Sequence, residues 1–157
     1  MADHTRLADL ADDLLAAVVD AADVHEVDLP ERRIIADGAV AWDCPLVAVA
    51  LPQISRGTVT ADAATAHRPS DTYVAQFAVW LLRSVPGMDK RGDPPPAADV
   101  TASGHQLLED GWLLSVGLRP ALRKLGKACP ALAAGTLTAQ GPEGGLAGWQ
   151  AIIRVGV

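Results

Sequence analysis

Apolar residues near the start of the chain recur at three- and four-residue steps: Leu7, Leu10, Ala11, Leu14, Leu15 and Val18. At roughly 100° per residue these positions share one face, and Asp9, Asp12, Asp13, Ala16, Asp20 and Asp23 share the opposite one. The pattern predicts an amphipathic helix of about four to five turns, packed on one side. Carboxylates resist burial, so the acidic face is expected in solvent. A sharper reading makes it an electrostatic surface that repels DNA or orients a partner.

The period then changes to that of a sheet. Residues 32–36 and 39–42 flank Asp37-Gly38, a dipeptide that favours hairpin turns, so a hairpin is expected there. Pro45 precedes the run 46–51, which is apolar without alternation, as in strands covered on both faces. Tyr73, Ala75, Phe77, Val79 and Leu81 give the next strand one apolar face, and Val74, Ala78, Trp80 and Leu82 make its other face nearly as apolar. Two explanations fit these doubly apolar strands: a core strand between two helices, or sheet surface buried by self-association. Between the strands, residues 56–70 are small and polar and too long for a tight turn, the profile of a functional or disordered loop.

Asp93-Pro94-Pro95-Pro96 opens a second helix, since proline fixes φ and lacks an N–H that a first turn leaves unpaired anyway. Val100, Gly104, Leu107, Leu108, Gly111, Leu114, Ser115 and Leu118 trace its apolar face. Gly104 and Gly111 each cost roughly 1 kcal/mol of helix propensity, which close approach of the helix to the sheet would offset. Pro120 ends or restarts this helix, near Arg119, Arg123, Lys124 and Lys127, which have no acid among them. These cations complement a helix C-terminus. They also suit the acidic helix of a neighbouring subunit.

The last segment combines a glycine-rich turn with strict alternation. Gly141, Gly144, Gly145 and Gly148 accompany Pro142 and imply an unusual backbone path. Trp149, Ala151, Ile153, Val155 and Val157 then point one way, and Gln150, Ile152, Arg154 and Gly156 the other, as in a half-buried strand. The elements together predict one α/β (α+β) domain over residues 1–157, with a mixed, mainly antiparallel sheet and two main helices packed on one side.

Composition narrows the class. Half of the 157 residues are hydrophobic but only 4% aromatic, so the core is expected to be aliphatic. Eight acids face a single arginine in residues 1–30, so the net charge of −6 originates almost entirely there. No apolar run approaches the ~20 residues of a membrane helix, and the start lacks the pattern of a signal peptide. Cys44 and Cys129 stand far apart, which excludes a local CxxC pair and suggests synthesis in a reducing cytoplasm.

Catalytic signals are weak. His4, His25, His67 and His105 are scattered without metal-ligand spacing. A small thiol at Cys44, beside Trp42, reads as packing. The 141–148 glycines lack a Lys-Ser/Thr and lead into a strand where a phosphate loop requires a helix. Glu109 and Asp110 are adjacent on a helix and diverge. No catalytic residue, metal ligand or cofactor is expected, and no basic, aromatic-interleaved patch points to nucleic-acid recognition.

Three features carry a resemblance: the wording Gly-Pro-Glu-Gly-Gly-Leu-Ala-Gly-Trp at 141–149, the segment Gly-Ala-Val-Ala-Trp-Asp-Cys at 38–44 leading into 46–51, and the order of parts around them. In these the chain resembles the tail terminator proteins of long-tailed (siphovirus) phages of actinobacteria. The resemblance implies a structural virion protein of the tail-neck region, made in the host cytoplasm. It implies a homo-hexameric ring that caps the head-proximal end of the tail tube, ends tube polymerisation and provides the joint to the head. Partners would be the major tail tube protein and a head–tail connector or stopper protein, with DNA passing through the lumen unread. Candidate interface residues are Arg56, His67, Arg68, Trp80, Leu82, Arg119, Arg123 and Lys124; Gly141, Gly144, Gly145, Gly148 and Trp149 are candidate structural turn residues. Alternative readings are another neck component, such as a head-completion protein, and a small enzyme or ligand-binding domain.

Overall fold

The computed structural model describes residues 4–56, 73–127 and 132–156. Helix α1 (His4–Val24) is followed by strands β1 (Arg33–Ala36), β2 (Leu46–Arg56) and β3 (Tyr73–Ser84). Helix α2 (Ala97–Trp112) then passes through a π-turn (Leu113–Gly117) into α3 (Arg119–Gly126), and strands β4 (Leu132–Glu143) and β5 (Leu146–Gly156) complete the fold. The five strands form one sheet in the order β1-β2-β3-β5-β4, with β1 parallel to β2 and every other pair antiparallel. The architecture is α+β, with the helices on one side of a mixed sheet.

The main core lies between the helices and the sheet. On α1, Leu10, Ala11, Leu14 and Val18 are buried against Val47, Val49, Phe77, Val79 and Leu81 of the sheet, while Asp9, Asp12, Asp13, Ala16, Asp20 and Asp23 are exposed. The helical face read from the sequence is therefore the packed one. From the second helical run come Leu113, Leu114, Leu118 and Leu122, and from β5 come Ala151, Ile153 and Val155. The inward face of α2 is narrower than its spacing suggests: Val100 and Leu108 are exposed, and Gly104 faces open space.

The hairpin expected at Asp37-Gly38 does not form. Residues 39–42 are not a strand, β1 pairs in parallel with β2, and Gly38 does not adopt the positive φ that a two-residue hairpin turn requires. Residues 37–45 instead cross the sheet on the side away from the helices. There Val40, Trp42 and Ile34 pack with Trp80 against a second cluster of Leu46, Ala48 and Leu82, all three fully buried. Burying Val40 and Trp42 outweighs pairing them in an edge hairpin. The crossover thus covers the second apolar face of β2 and β3 within one chain, so these strands provide no argument for sheet surface hidden between subunits.

Two irregularities have local causes. Pro52 lies inside β2, next to a shift of register between Ala50 and Gln53, the kind of position where a strand tolerates a missing N–H. Pro120 cannot donate to the carbonyl four residues earlier, and the helix widens just before it: Leu118 N–H reaches back five residues to the Leu113 carbonyl at 2.9 Å.

Strand β4 is not foreshadowed by alternation, because register shifts at Ala134/Leu137 and Gln140/Glu143 break its period. The turn between β4 and β5 is also tighter than the span 141–148. Glu143 pairs with Leu146, leaving Gly144 (φ 58°) and Gly145 (φ 77°) as the two central residues. Positive φ at both suits a two-residue hairpin and is available to glycine without strain.

Candidate interaction surfaces

Two contacts fix α2 on the sheet. Arg83, at the end of β3, donates from Nε and Nη2 to both carboxylate oxygens of Asp110 at 2.5 and 2.7 Å, and its Nη2 also reaches the Asp28 carbonyl. Asp110 is fully buried. Burial pushes its carboxyl above the ordinary value, while the Arg83 guanidinium pulls it down and leaves it on the raised side. This pair joins β3, α2 and the segment after α1, and it is the polar feature that sequence reading missed. Its one signal is an aspartate three residues from Leu107 and four from Leu114, on the inward side of a helix.

The second contact involves Trp149. Its indole Nε1 donates to the Leu107 carbonyl at 2.6 Å, and its ring lies against Gly111, where a Cβ would fall 2.8 Å from the ring. Gly111 therefore allows the close approach expected of it, and Gly104 plays no such part.

Above this support lies an apolar surface. Trp112 (44% exposed), Leu108 (66%) and Val116 (38%) follow one another at four-residue steps along α2 and the π-turn, and Val24 (75%) stands nearby at the end of α1. His25 joins the helices here, meeting the Trp112 ring edge-on with centroids 4.8 Å apart. Monomeric surfaces carry scattered apolar residues, but contiguous ones mark contact sites. One hollow of about 380 Å³ flanks the patch, lined by His25, Glu26, Val27, Leu108, Glu109 and Trp112. A second, of about 260 Å³, includes Val24, His25, Gly117, Pro120 and Lys124. The first is rimmed by acids; the second is lined by both Asp20 and Lys124.

The sequence-derived candidates do not converge on one place. Arg119, Arg123 and Lys124 are exposed on α3, and Arg119 Nε donates to the Ser115 carbonyl at 3.1 Å. Arg56 ends β2 with its guanidinium over the ring of Tyr73, 5.7 Å from the centroid. His67, Arg68 and most of the 56–70 loop lie outside the described residues. Leu82 is fully buried in the second cluster and has no surface to offer a partner, which corrects its place among the interface residues. Trp80 is half-buried against Trp42, with centroids 5.5 Å apart, so it contributes to intrachain packing. Gly141, Gly144, Gly145, Gly148 and Trp149 all belong to the β4–β5 hairpin.

Cys44 accepts a contact from Arg32 Nη1 at 2.8 Å, and the same nitrogen lies 2.7 Å from Asp43 Oδ1. Desolvation raises the Asp43 carboxyl, but the Cys44 hydrogen bond and the Arg32 charge outweigh it and hold the group below its ordinary value. Cys129 lies outside the described residues. Among the described residues, no group of three or more His, Cys, Asp or Glu side chains is placed to hold a metal ion, and no helix is long and apolar enough to cross a membrane.

Together these surfaces can hold protein against protein: an apolar patch with rims of opposite charge, an acidic helix face, and the outer edge of β4, which among the described residues pairs only with β5. No protein-family model matches the chain, and no curated protein matches it significantly.

Proposed function

We propose that this protein is a structural subunit of a phage tail-terminator ring, which caps the head-proximal end of a tail tube, ends its polymerisation and joins it to the head. The observation that carries this reading is the 141–149 segment. Its wording resembles that of the terminators, and it forms the turn and the first part of β5 in a hairpin whose other strand, β4, is a sheet edge among the described residues. From Leu132 to Gln140 that edge bears no charged side chain. Long edges without lysine, or cover from another element, invite pairing with a further chain.

A closed ring needs a heterologous contact, in which one surface of a subunit meets a different surface of the next. The sheet has two unlike edges, the short β1 and the long β4, and the helix layer presents acids on α1 and cations on α3. These supply unlike surfaces for such a contact. The acidic α1 face also suits a protein that passes DNA without holding it, since phosphate binding depends on cationic contacts.

The test is assembly. Purified protein added to polymerising tail tube protein is expected to yield capped tubes of uniform length, with rings at one end in electron micrographs. Tubes of unregulated length, or a protein that never associates with tube ends, would exclude the terminator reading.

A further inference from the structure

We infer that the exposed patch centred on Trp112 is a self-docking surface, and that its occupant is the same patch of a second copy of this chain. Unlike ring closure, the contact is isologous, so it does not rest on the proposed function and concerns the free protein.

The argument starts from the order of exposed side chains along one helical run. Leu108 and Glu109 come first, then Trp112, then Ser115 and Val116, then Arg119 and Arg123, all exposed. Steps of three and four residues keep them on one side of the run. The inward side is taken by Asp110, Gly111, Leu113, Leu114, Leu118 and Leu122, all buried. The outward ridge is therefore acidic at one end, apolar in the middle and basic at the other.

Such a ridge complements itself when two copies lie antiparallel about a dyad near Leu114. Trp112 of one copy then meets Val116 of the other, and Glu109 meets Arg119. A two-fold contact repeats each pairing, so both ends gain an opposite charge at once. A parallel arrangement would put like charges together. Within one chain Glu109 cannot reach Arg119, since ten residues of helix separate them by roughly 15 Å. Neither residue forms an ion pair among the described residues.

The surroundings suit this occupant. Val24 adds apolar surface in the second hollow, which it shares with His25, and the hollow between His25, Leu108 and Trp112 leaves room for a large apolar side chain from the partner. Arg119 is fixed along the run by the bond from its Nε to the Ser115 carbonyl, one turn back. A central tryptophan with arginine at one end of the ridge is also the composition typical of residues that dominate binding energy.

Sedimentation velocity on the full chain, over a wide concentration range, tests the inference. The wild-type protein is expected to form a reversible dimer. Trp112→Glu, and separately Leu108→Glu, should weaken it about 30-fold or more, the effect of losing a central anchor, while circular dichroism stays unchanged. Having two variants covers the case in which one disturbs folding. Glu109→Arg and Arg119→Glu should each weaken the dimer about fivefold, and the double variant should restore it, because the exchanged charges meet again in trans.

A protein that stays monomeric throughout would show that the patch serves a different partner, and the inference falls. So it does if the dimer ignores Trp112→Glu, or if the double variant is no better than the singles. A hexamer unaffected by Trp112→Glu would overturn this inference while favouring the ring. A dimer lost on Trp112→Glu supports it whatever the tube assay gives.

Discussion

The indole of Trp149 occupies the space that a side chain at position 111 would need. A Cβ added at Gly111 would lie 2.8 Å from Cε2 of the ring, closer than real contacts allow, and the ring is tied down by its bond to Leu107. At Gly104, on the same helix, a Cβ would meet nothing within 4 Å.

Gly111→Ala and Gly104→Ala are therefore expected to move stability in opposite directions. The first forces the indole aside and should cost about 1–3 kcal/mol, the range for overpacking, despite the gain in helix propensity. The second should add roughly 0.5–1 kcal/mol, since alanine favours the helix and constrains the unfolded chain. Urea denaturation of the two variants checks both signs.

The Arg83–Asp110 pair should behave as a unit. Removing either charge leaves the other buried and unpaired, so Arg83→Met or Asp110→Leu alone should cost about 3–5 kcal/mol. Removing both should recover much of that loss, because two apolar side chains of similar size leave no stranded charge. A double-mutant cycle in urea gives the coupling directly; simple additivity would mean that the pair does not hold α2 in place.

The sequence foretold what repeats and missed what happens once. Helix α1, β3 and the terminal strand follow from periodicity, because each buries a face whose pattern recurs every two or every three to four residues, and the buried half of β2 follows from its unbroken apolar run 46–51. The parallel partnership of β1 and β2 was not legible. Asp37-Gly38 satisfies the local preference for a hairpin, but the apolar side chains of Val40 and Trp42 are better buried over Leu46 and Leu82, a contact no local pattern encodes. Strand β4 was hidden by its register shifts, and Arg83–Asp110 by a separation in sequence that only folding closes. Of the surface, the cations of α3 and the acids of α1 were foreseen from charge. The patch around Trp112 was not, because Leu108 and Val100 read as core until the narrower inward face of α2 is seen.

The second cluster makes Trp80 a packing residue, and its substitution should register as stability. Trp80→Ala and Trp42→Ala should each destabilise, and a double-mutant cycle should show coupling of about 0.5–1.5 kcal/mol, typical of an edge-to-face aromatic pair. Trp80→Glu should lower the melting temperature of the free protein. A variant of unchanged melting temperature that fails only in assembly would return Trp80 to a contact between subunits.

The C-terminal hairpin is the strictest test of the fold, because β5 sits between β3 and β4, and without it β3 keeps only β2 and β4 is left unpaired among the described residues. Ending the chain at Gly148 removes the buried Ala151, Ile153 and Val155 together with Trp149. Full burial of a large aliphatic or aromatic side chain is worth roughly 1.5–3 kcal/mol, and a domain has only about 5–15 kcal/mol in total, so the truncated chain should not fold. Within the hairpin, three substitutions should rank by what each glycine does. Gly148→Ala should be the worst, since its Cβ would run into the Leu81 carbonyl within the β3–β5 ladder, where neither backbone can give way. Gly145→Val should come next, at about 1–3 kcal/mol, because a β-branched residue resists the positive φ while facing open space. Glu143→Ala, at an exposed strand end, should stay within about 0.5 kcal/mol. Thermal denaturation of the three, with soluble yield of the truncation, decides the order. Should Gly148→Ala melt like the wild type, the close pairing of β3 with β5 at Leu81 and Leu82 would have to be wrong.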